Sequence, residues 1–427
     1  MPLQPVIKED FLHYLWKTKK IGGDLLHCTD GRKIKLLDYG IYNTDSGPDF
    51  FNGRIELDGN IWAGNIEMHV YTSDWIKHEH HRDHAYDNVI LHVVYEHDSL
   101  DEALNNIPTL ELKGRIPRIY LDHYLSLMQS QDSIPCSRML PTVDKQKIEL
   151  WKYTLVVERL LQKTAHLAEI HKATGDNWEE TFYIMLARYF GAKVNTQPFE
   201  LLAKSLPLSI LLKNADKPQA IEALIFGQAG MLEANYQDEY YQIIKKEYTY
   251  LRQKYGLTPI NAVMWKFSKM RPGNFPTIRL AQFAALLTSN DRLFSKIKEA
   301  SSARTIRELL HAKPNEYWNT HYRFGTLSTY QLKNISDEMM DLLLINAIVP
   351  VLYLYGKSIG DEIYTDKAIS LLESVKAEKN SIINEWKSMH QTVKSAFDSQ
   401  AFIHLKQNYC SYFRCMECRI GHEIMNR

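Results

Sequence analysis

The feature that most constrains the fold is a change of period part-way along the chain. Up to about Tyr120, short runs alternate apolar and polar residues; from about Lys145, apolar residues recur at helical spacing. Period two suits half-buried strands, and period 3.6 suits helices with one buried face. The first part opens on a helical stripe, Phe11, Leu12, Leu15 and Trp16, between Glu9 and Lys20. Strands are expected at Lys33 to Tyr39, Phe50 to Leu57, Ile61 to Tyr71, Asn88 to Tyr95 and Pro108 to Ile116. Asp58-Gly59 is a hairpin turn between the second and third of these. Ser73 or Asp74 can cap a helix that carries Trp75, Ile76 and several histidines. The run NVILHVVY is nearly continuous in apolar residues, as in a strand buried on both faces. The second part reads as all-helical, with Asp176 to Glu179 as a capping box ahead of TFYIMLARYFG. The expected organisation is an α/β domain over 1–125, a linker over 126–145, and an all-helical domain over 146–427 that ends in a cysteine cluster. The fold class is α+β followed by α.

A chain of 427 residues can bury its cores without disulfides. Its formal net charge is zero, so no global field draws it to nucleic acid or membrane, and charge-based recognition must be local. The first residues, MPLQPVIKEDFLHYLW, lack a basic segment followed by an apolar core, so no secretory signal is expected. The longest apolar run, Leu342 to Gly356, is too short to span a membrane. It reads as a buried helix broken near Pro350. Five cysteines without a signal suggest a reducing cytoplasm, where clustered cysteines more often bind metal than pair.

Asp49 and Glu67 sit at nearly equal distances either side of the Asp58-Gly59 turn, which places them roughly opposite each other. Two carboxylates with the Met68 carbonyl make an oxygen-rich site of the kind Mg²⁺ prefers. His69 lies on the same strand face as Glu67, placed to orient or deprotonate an attacking water. Pro48-Asp49 followed by Glu67-x-His69, within an order of helix, three strands, helix and strand, resembles the PD-(D/E)XK nuclease superfamily. That resemblance implies a restriction-endonuclease-like αβββαβ domain and phosphodiester hydrolysis of DNA or RNA, with Mg²⁺ or Mn²⁺ held by Asp49 and Glu67. It also implies Glu9 as an additional acid on the first helix. The departure is His69 where that superfamily usually has lysine. Over nearly its full length, through GPDF, GNIEMHV, DNVILHVV, NWEETFY, EALIFGQAGML, RPGNFPTIRLAQ and the terminal cysteines, the chain is similar to an uncharacterised bacterial family known as a domain of unknown function. That likeness implies no activity.

The segment KHEHHRDHAYDNV is similar to the H-x-H-x-D-H ligand run of metallo-β-lactamase-like hydrolases but is longer by one residue: His78, His80, Asp83, His84. On a helix, His80, Asp83 and His84 would share one face. Tyr86 can contact phosphate there, as a helix tyrosine does in RecB-like members of the nuclease superfamily. The plain alternative is a solvated face rich in histidine. Near the C-terminus, Cys410, Cys415 and Cys418 fall within nine residues, a spacing shared by zinc and iron–sulfur sites. Cys136 or His422 is the candidate fourth ligand. MWKFSKMRPGNFPTIR interleaves Lys266, Lys269, Arg271 and Arg279 with Trp265, Phe267 and Phe275, a composition suited to single-stranded nucleic acid. The alternative is that these aromatics are core. The leading expectation is a Mg²⁺-dependent nuclease with DNA or RNA as partner and no membrane association. An inactive nucleic-acid-binding or scaffold protein is the alternative, and a metallohydrolase at His78–His84 the second.

Overall fold

Asp58 and Gly59 both take positive φ, 48° and 84°, and Leu57 pairs with Asn60 across them. This is the two-residue hairpin turn whose twist matches that of the strands it joins. The computed structural model describes residues 7–21, 26–99 and 107–427. It divides into two units: residues 1–151 with 405–427, and residues 152–404.

The first unit holds a mixed sheet. Its strands are β1 (Leu26–His27), β2 (Lys33–Asp38), β3 (Ile41–Tyr42), β4 (Phe50–Leu57), β5 (Asn60–Tyr71), β6 (Val89–Glu96) and β7 (Thr109–Glu111). Their order is β1-β2-β4-β5-β6-β7, with β3 added on β4. Pairing is antiparallel as far as β5 and parallel from β5 to β6 and β7. A parallel neighbour needs a crossover, and the chain between Thr72 and Asn88 supplies it. The first six residues of β6 are buried, as its apolar run requires. Helix α1 (Glu9–Lys17) buries Phe11, Leu12, Tyr14, Leu15 and Trp16 and packs on β5. The Trp16 indole donates to the Tyr39 carbonyl at 2.8 Å.

Four expectations about the first unit need correction. The crossover is not one helix. Helix α2 is only Asp74–Lys77, and Glu79 takes a left-handed φ of 59° that stops it. Two 3₁₀ turns follow, His80–Arg82 and His84–Tyr86. The last strand is three residues long rather than nine. The segment 126–145 is not a linker either. Helix α3 (Arg118–Met128) runs into it, Ile134, Cys136 and Leu140 are buried, and the Leu140 amide donates to the Cys136 carbonyl at 2.8 Å. The C-terminal residues belong here and not with the helical domain. Lys20 Nζ donates to the Met425 carbonyl at 3.1 Å, and Lys147 pairs with Glu423 at 2.5 Å.

The second unit is helical apart from a small ribbon, His321–Arg323 with Thr326–Leu327. Helix Trp178–Phe190 is capped by Asn177, which accepts from the Glu180 amide at 3.1 Å. The cap therefore lies one residue beyond the expected box, and the Glu179 carboxylate instead accepts from the amides of Phe294 and Ser295. The apolar run is not broken at Pro350. Asp337–Leu343 and Val349–Ile359 are joined by a π-helical turn, Leu344–Ile348. A wider turn ahead of a proline relieves the clash between its ring and the preceding turn. The combined 23 residues are long and apolar enough to cross a membrane, but 72% of their most apolar window is buried in the protein.

Candidate metal centre

The centre is set by strand register. Gly53 pairs with Gly64, but Phe50 pairs with Ile66, so one extra residue is absorbed between them. Asn52 carries this bulge at φ 57°. Continuing the Phe50–Ile66 pairing sets Asp49 opposite Glu67, and residues directly opposite share a face. Without the bulge, Asp49 would face Met68 and the acids would part. The acids are then locked to each other's backbone. The Asp49 amide donates to Glu67 Oε2 at 3.0 Å, and the Met68 amide donates to Asp49 Oδ2 at 3.0 Å.

The other Glu67 oxygen faces imidazoles. Oε1 lies 3.6 Å from His69 Nε2 and 3.4 Å from His80 Nε2. His69 Nε2 is also 3.1 Å from His78 Nδ1, and its Nδ1 is 2.9 Å from His92 Nε2. One ring nitrogen from each of His69, His78 and His80 lies within 4.8 Å of the others. Tyr86 stacks on His80, ring centres 3.8 Å apart. Across the pair, His13 Nε2 approaches Asp49 Oδ2 to 3.1 Å without forming a hydrogen bond. Glu9, one helical turn before His13, is half-buried and interacts with Asp49, His13 and His78.

Burial dominates the electrostatics. Glu67 is 5% exposed, His69 1% and His92 fully buried. Desolvation first, then the charge of Asp49, pushes the Glu67 carboxyl well above the usual carboxylate range. Desolvation, then the neighbouring rings, pulls His69 down to about 2 and His92 down to about 3. Desolvation and Asp49 raise Glu9. His69 and His92 are therefore neutral, the form that ligates metal, and Glu67 is short of a positive charge to stabilise its ionised form. The donor set fits a divalent cation. Carboxylate oxygen alone suits Mg²⁺, whereas imidazole nitrogen beside carboxylate suits Zn²⁺, Mn²⁺ or Fe²⁺.

The structure brings Asp49, Glu67, His69, His80 and Glu9 together, with Tyr86 against them. Asp83 and His84 stay outside. Asp83 caps the Ala85 amide at 2.9 Å, and His84, at the surface, pairs with Asp87. They leave because the expected helical face does not exist beyond Lys77. Met68 contributes its amide, where its carbonyl was expected to face a cation. His69 is sealed in the sheet with both ring nitrogens engaged, so it is not placed as a free base for water. The acid and histidine motifs, read from sequence as rival sites, are one site. Sequence reasoning missed His13 and His92. The signals were there: Glu9 and His13 stand four apart on one helical face, and His92 is the one polar residue within the buried run Val89 to Val94.

The remaining expected residues lie elsewhere. Cys136, Cys410, Cys415 and Cys418 line one small pocket in the first unit. His422 turns away from it, its Nε2 bonded to the Met416 carbonyl and its ring 5.0 Å from that of Tyr14. In the second unit, Arg271 and Arg279 line a cavity of about 810 Å³ that also includes Lys193 and Lys333. Arg279 donates to Gln282 and Asn274, and burial holds its guanidinium down at about 10. Lys266 and Lys269 are exposed. Trp265 is core, bonded to the Ala229 carbonyl at 2.8 Å. Phe267 and Phe275 both face the Arg323 guanidinium.

A family model described as "Protein of unknown function (DUF2851)" matches residues 9–381, and the chain belongs to that family. No curated protein and no solved structure matches it.

Proposed function

We propose that this member of a family of unknown function is a divalent-cation-dependent hydrolase of phosphodiester bonds, a nuclease of DNA or RNA acting through its first unit. The observation that carries the reading is the convergence of His69 and His80 on Glu67 Oε1, with His78 against His69 and Asp49 paired across the same hairpin. The order of helix, antiparallel strands, crossover and parallel strand around Pro48-Asp49 and Glu67-x-His69 supports a nuclease core of the PD-(D/E)XK kind. Its usual lysine is replaced by a buried histidine.

A cation held by Glu67 with His69, His78 and His80 would supply Lewis-acid polarisation of a phosphoryl oxygen and lower the pKa of water. The protein's own groups do the rest. His92, in hydrogen-bond contact with His69 Nδ1 at 2.9 Å, holds that ring in place. The bulge at Asn52 keeps Asp49 on the face of Glu67. Glu9 and His13 stand on the far side of Asp49, placed to take or hold a proton. Beside His80 a groove of about 840 Å³ is walled by Trp62, Trp75 and Tyr86. Aromatic walls next to a phosphate-reactive centre suit a nucleobase. Arg271 and Arg279 give the second unit a basic cavity suited to phosphate. Zn²⁺ or Mn²⁺ is favoured over Mg²⁺ by the imidazole count.

The test is cleavage of single- and double-stranded DNA and RNA by full-length protein with Mn²⁺, Zn²⁺ or Mg²⁺ in separate reactions. Cleavage with at least one cation, abolished in Glu67→Gln and in His80→Ala, is the expected result. Cation binding without cleavage of any nucleic acid would sink the nuclease reading in favour of a binding protein. Equal cleavage by wild type and both variants would expose a contaminant.

A further inference from the structure

We infer that Cys136, Cys410, Cys415 and Cys418 together hold an iron–sulfur cluster. Four of the five cysteines in the chain, from two segments far apart in sequence, line the same pocket. Chance burial of thiols does not gather them so. Each is a free thiol, and none is paired in a disulfide. The fifth, Cys28, directly follows β1 and is not among the pocket-lining residues.

Local structure is shaped around the pocket. Cys410 opens a 3₁₀ turn that ends at Phe413 with φ 56°. This reversal carries the chain back to Cys415. The Cys418 amide then bonds to the Cys415 carbonyl at 3.3 Å, and helix Arg419–Met425 starts directly after Cys418. Gly421 is required there: a Cβ on it would meet the Cys415 carbonyl oxygen at 2.0 Å. Cys136 comes from the loop after α3, its carbonyl accepting from the amides of Met139 and Leu140. Arg414 also lines the pocket, its guanidinium paired with Glu417 and the Asn408 carbonyl.

The ligand count and the spacing of the cysteines along the chain point to the kind of centre. One tetrahedral zinc ion, with Zn–S near 2.3 Å, holds its sulfurs about 3.8 Å apart. An iron–sulfide core several atoms across spreads four thiolates wider than one ion can. Cys410-x₄-Cys415-x₂-Cys418 is also a spacing that iron–sulfur ligation uses. Nearby His422 is committed to the Met416 carbonyl, which leaves Cys136 as the fourth ligand. The centre shares no residue with the acid–imidazole site, although Cys415 interacts with Lys8 and Asp10 either side of Glu9, and it does not depend on the nuclease reading.

The test is full-length protein purified without oxygen and assayed for iron, zinc and acid-labile sulfide, with its visible absorption recorded before and after dithionite. Iron and sulfide in equal, stoichiometric amounts and a brown colour that bleaches on reduction are expected. Cys136→Ser and Cys415→Ser lose both elements, whereas Cys28→Ser and Glu67→Gln keep them. If the first two variants do not fold, the wild-type assay still decides. Stoichiometric zinc without sulfide would replace the cluster by a single ion and overturn the inference, as would the absence of both metals. Retention of iron in Cys136→Ser would remove Cys136 as ligand.

Discussion

The acid–imidazole site and the cysteine pocket belong to the same unit but are built in opposite ways. The first is assembled by sheet register, with mixed oxygen and nitrogen donors beside an open groove. The second is assembled by loops and a helix start, with sulfur donors and mostly apolar walls. One burdens the fold with a buried carboxylate whose charge lacks a full partner. The other joins the chain's C-terminal segment to the loop around Cys136. A site that destabilises its own fold points to chemistry, whereas a site that joins distant segments points to architecture.

The largest effect expected from breaking this contrast is at Glu67. Glu67→Gln lowers cation-dependent activity by at least about 100-fold, since it removes the negative charge and one of the two carboxylate oxygens that His69, His80 and a cation would share. The same change raises the stability of cation-free protein. The folded-state pKa of Glu67 lies above its unfolded value, so its favourable contribution is complete below the ordinary carboxylate range and is lost as pH rises through the raised value. The advantage of Glu67→Gln should be absent near pH 4 and grow toward pH 8. Thermal melts with a chelator present would show this; equal melting temperatures at pH 8 would mean that Glu67 carries no such burden.

The opposite signature is expected at the cysteines. Cys136→Ser should lower the melting temperature by roughly 5–10 °C, for a loss of about 2–3 kcal/mol at about 2–4 °C per kcal/mol in a domain of this size. Cation affinity at the acid site should hold. A loss of stability together with loss of cation binding would show that the two centres are coupled and erase the contrast.

A smaller change is expected from His92→Gln, which disturbs the partner of His69 and leaves the direct donors in place. Cation affinity should fall by about 10- to 100-fold, as for other groups that orient a ligand. Isothermal titration with Zn²⁺ or Mn²⁺ measures it, and an unchanged affinity would remove His69 from the ligand set. The smallest effect belongs to Asp83→Asn and His84→Ala. Both residues are exposed and outside the centre, so cleavage and cation affinity should stay within about twofold of wild type. A larger loss from either would restore the histidine run as a helical face.

Much of the frame was legible from residue pattern. The Asp58-Gly59 turn, the alternation on either side of it and the unbroken apolar run of β6 follow from local steric preference and burial, which neighbouring residues largely determine. The pairing of Asp49 with Glu67 was legible for the same reason, because a tight turn counts residues outward on both arms. The count was out by one, and the bulge at Asn52 that restores it has no sharp local signal.

What only the tertiary structure decided concerns groups brought together across the chain. His13 comes from a helix, His92 from the parallel strand beside β5, and His78 and His80 from a crossover that propensity alone reads as helix. Glu79 in a left-handed conformation turns that segment, sending His80 to Glu67 and leaving His84 in solvent. Cys136 reaches the C-terminal cysteines because the supposed linker is packed loop. Sequence pattern by itself determined where strands and helices form and which residues can ligate a metal, since those properties are local. Which ligands share a centre was decided by long-range packing, because burial and sheet pairing act between residues that sequence spacing does not relate.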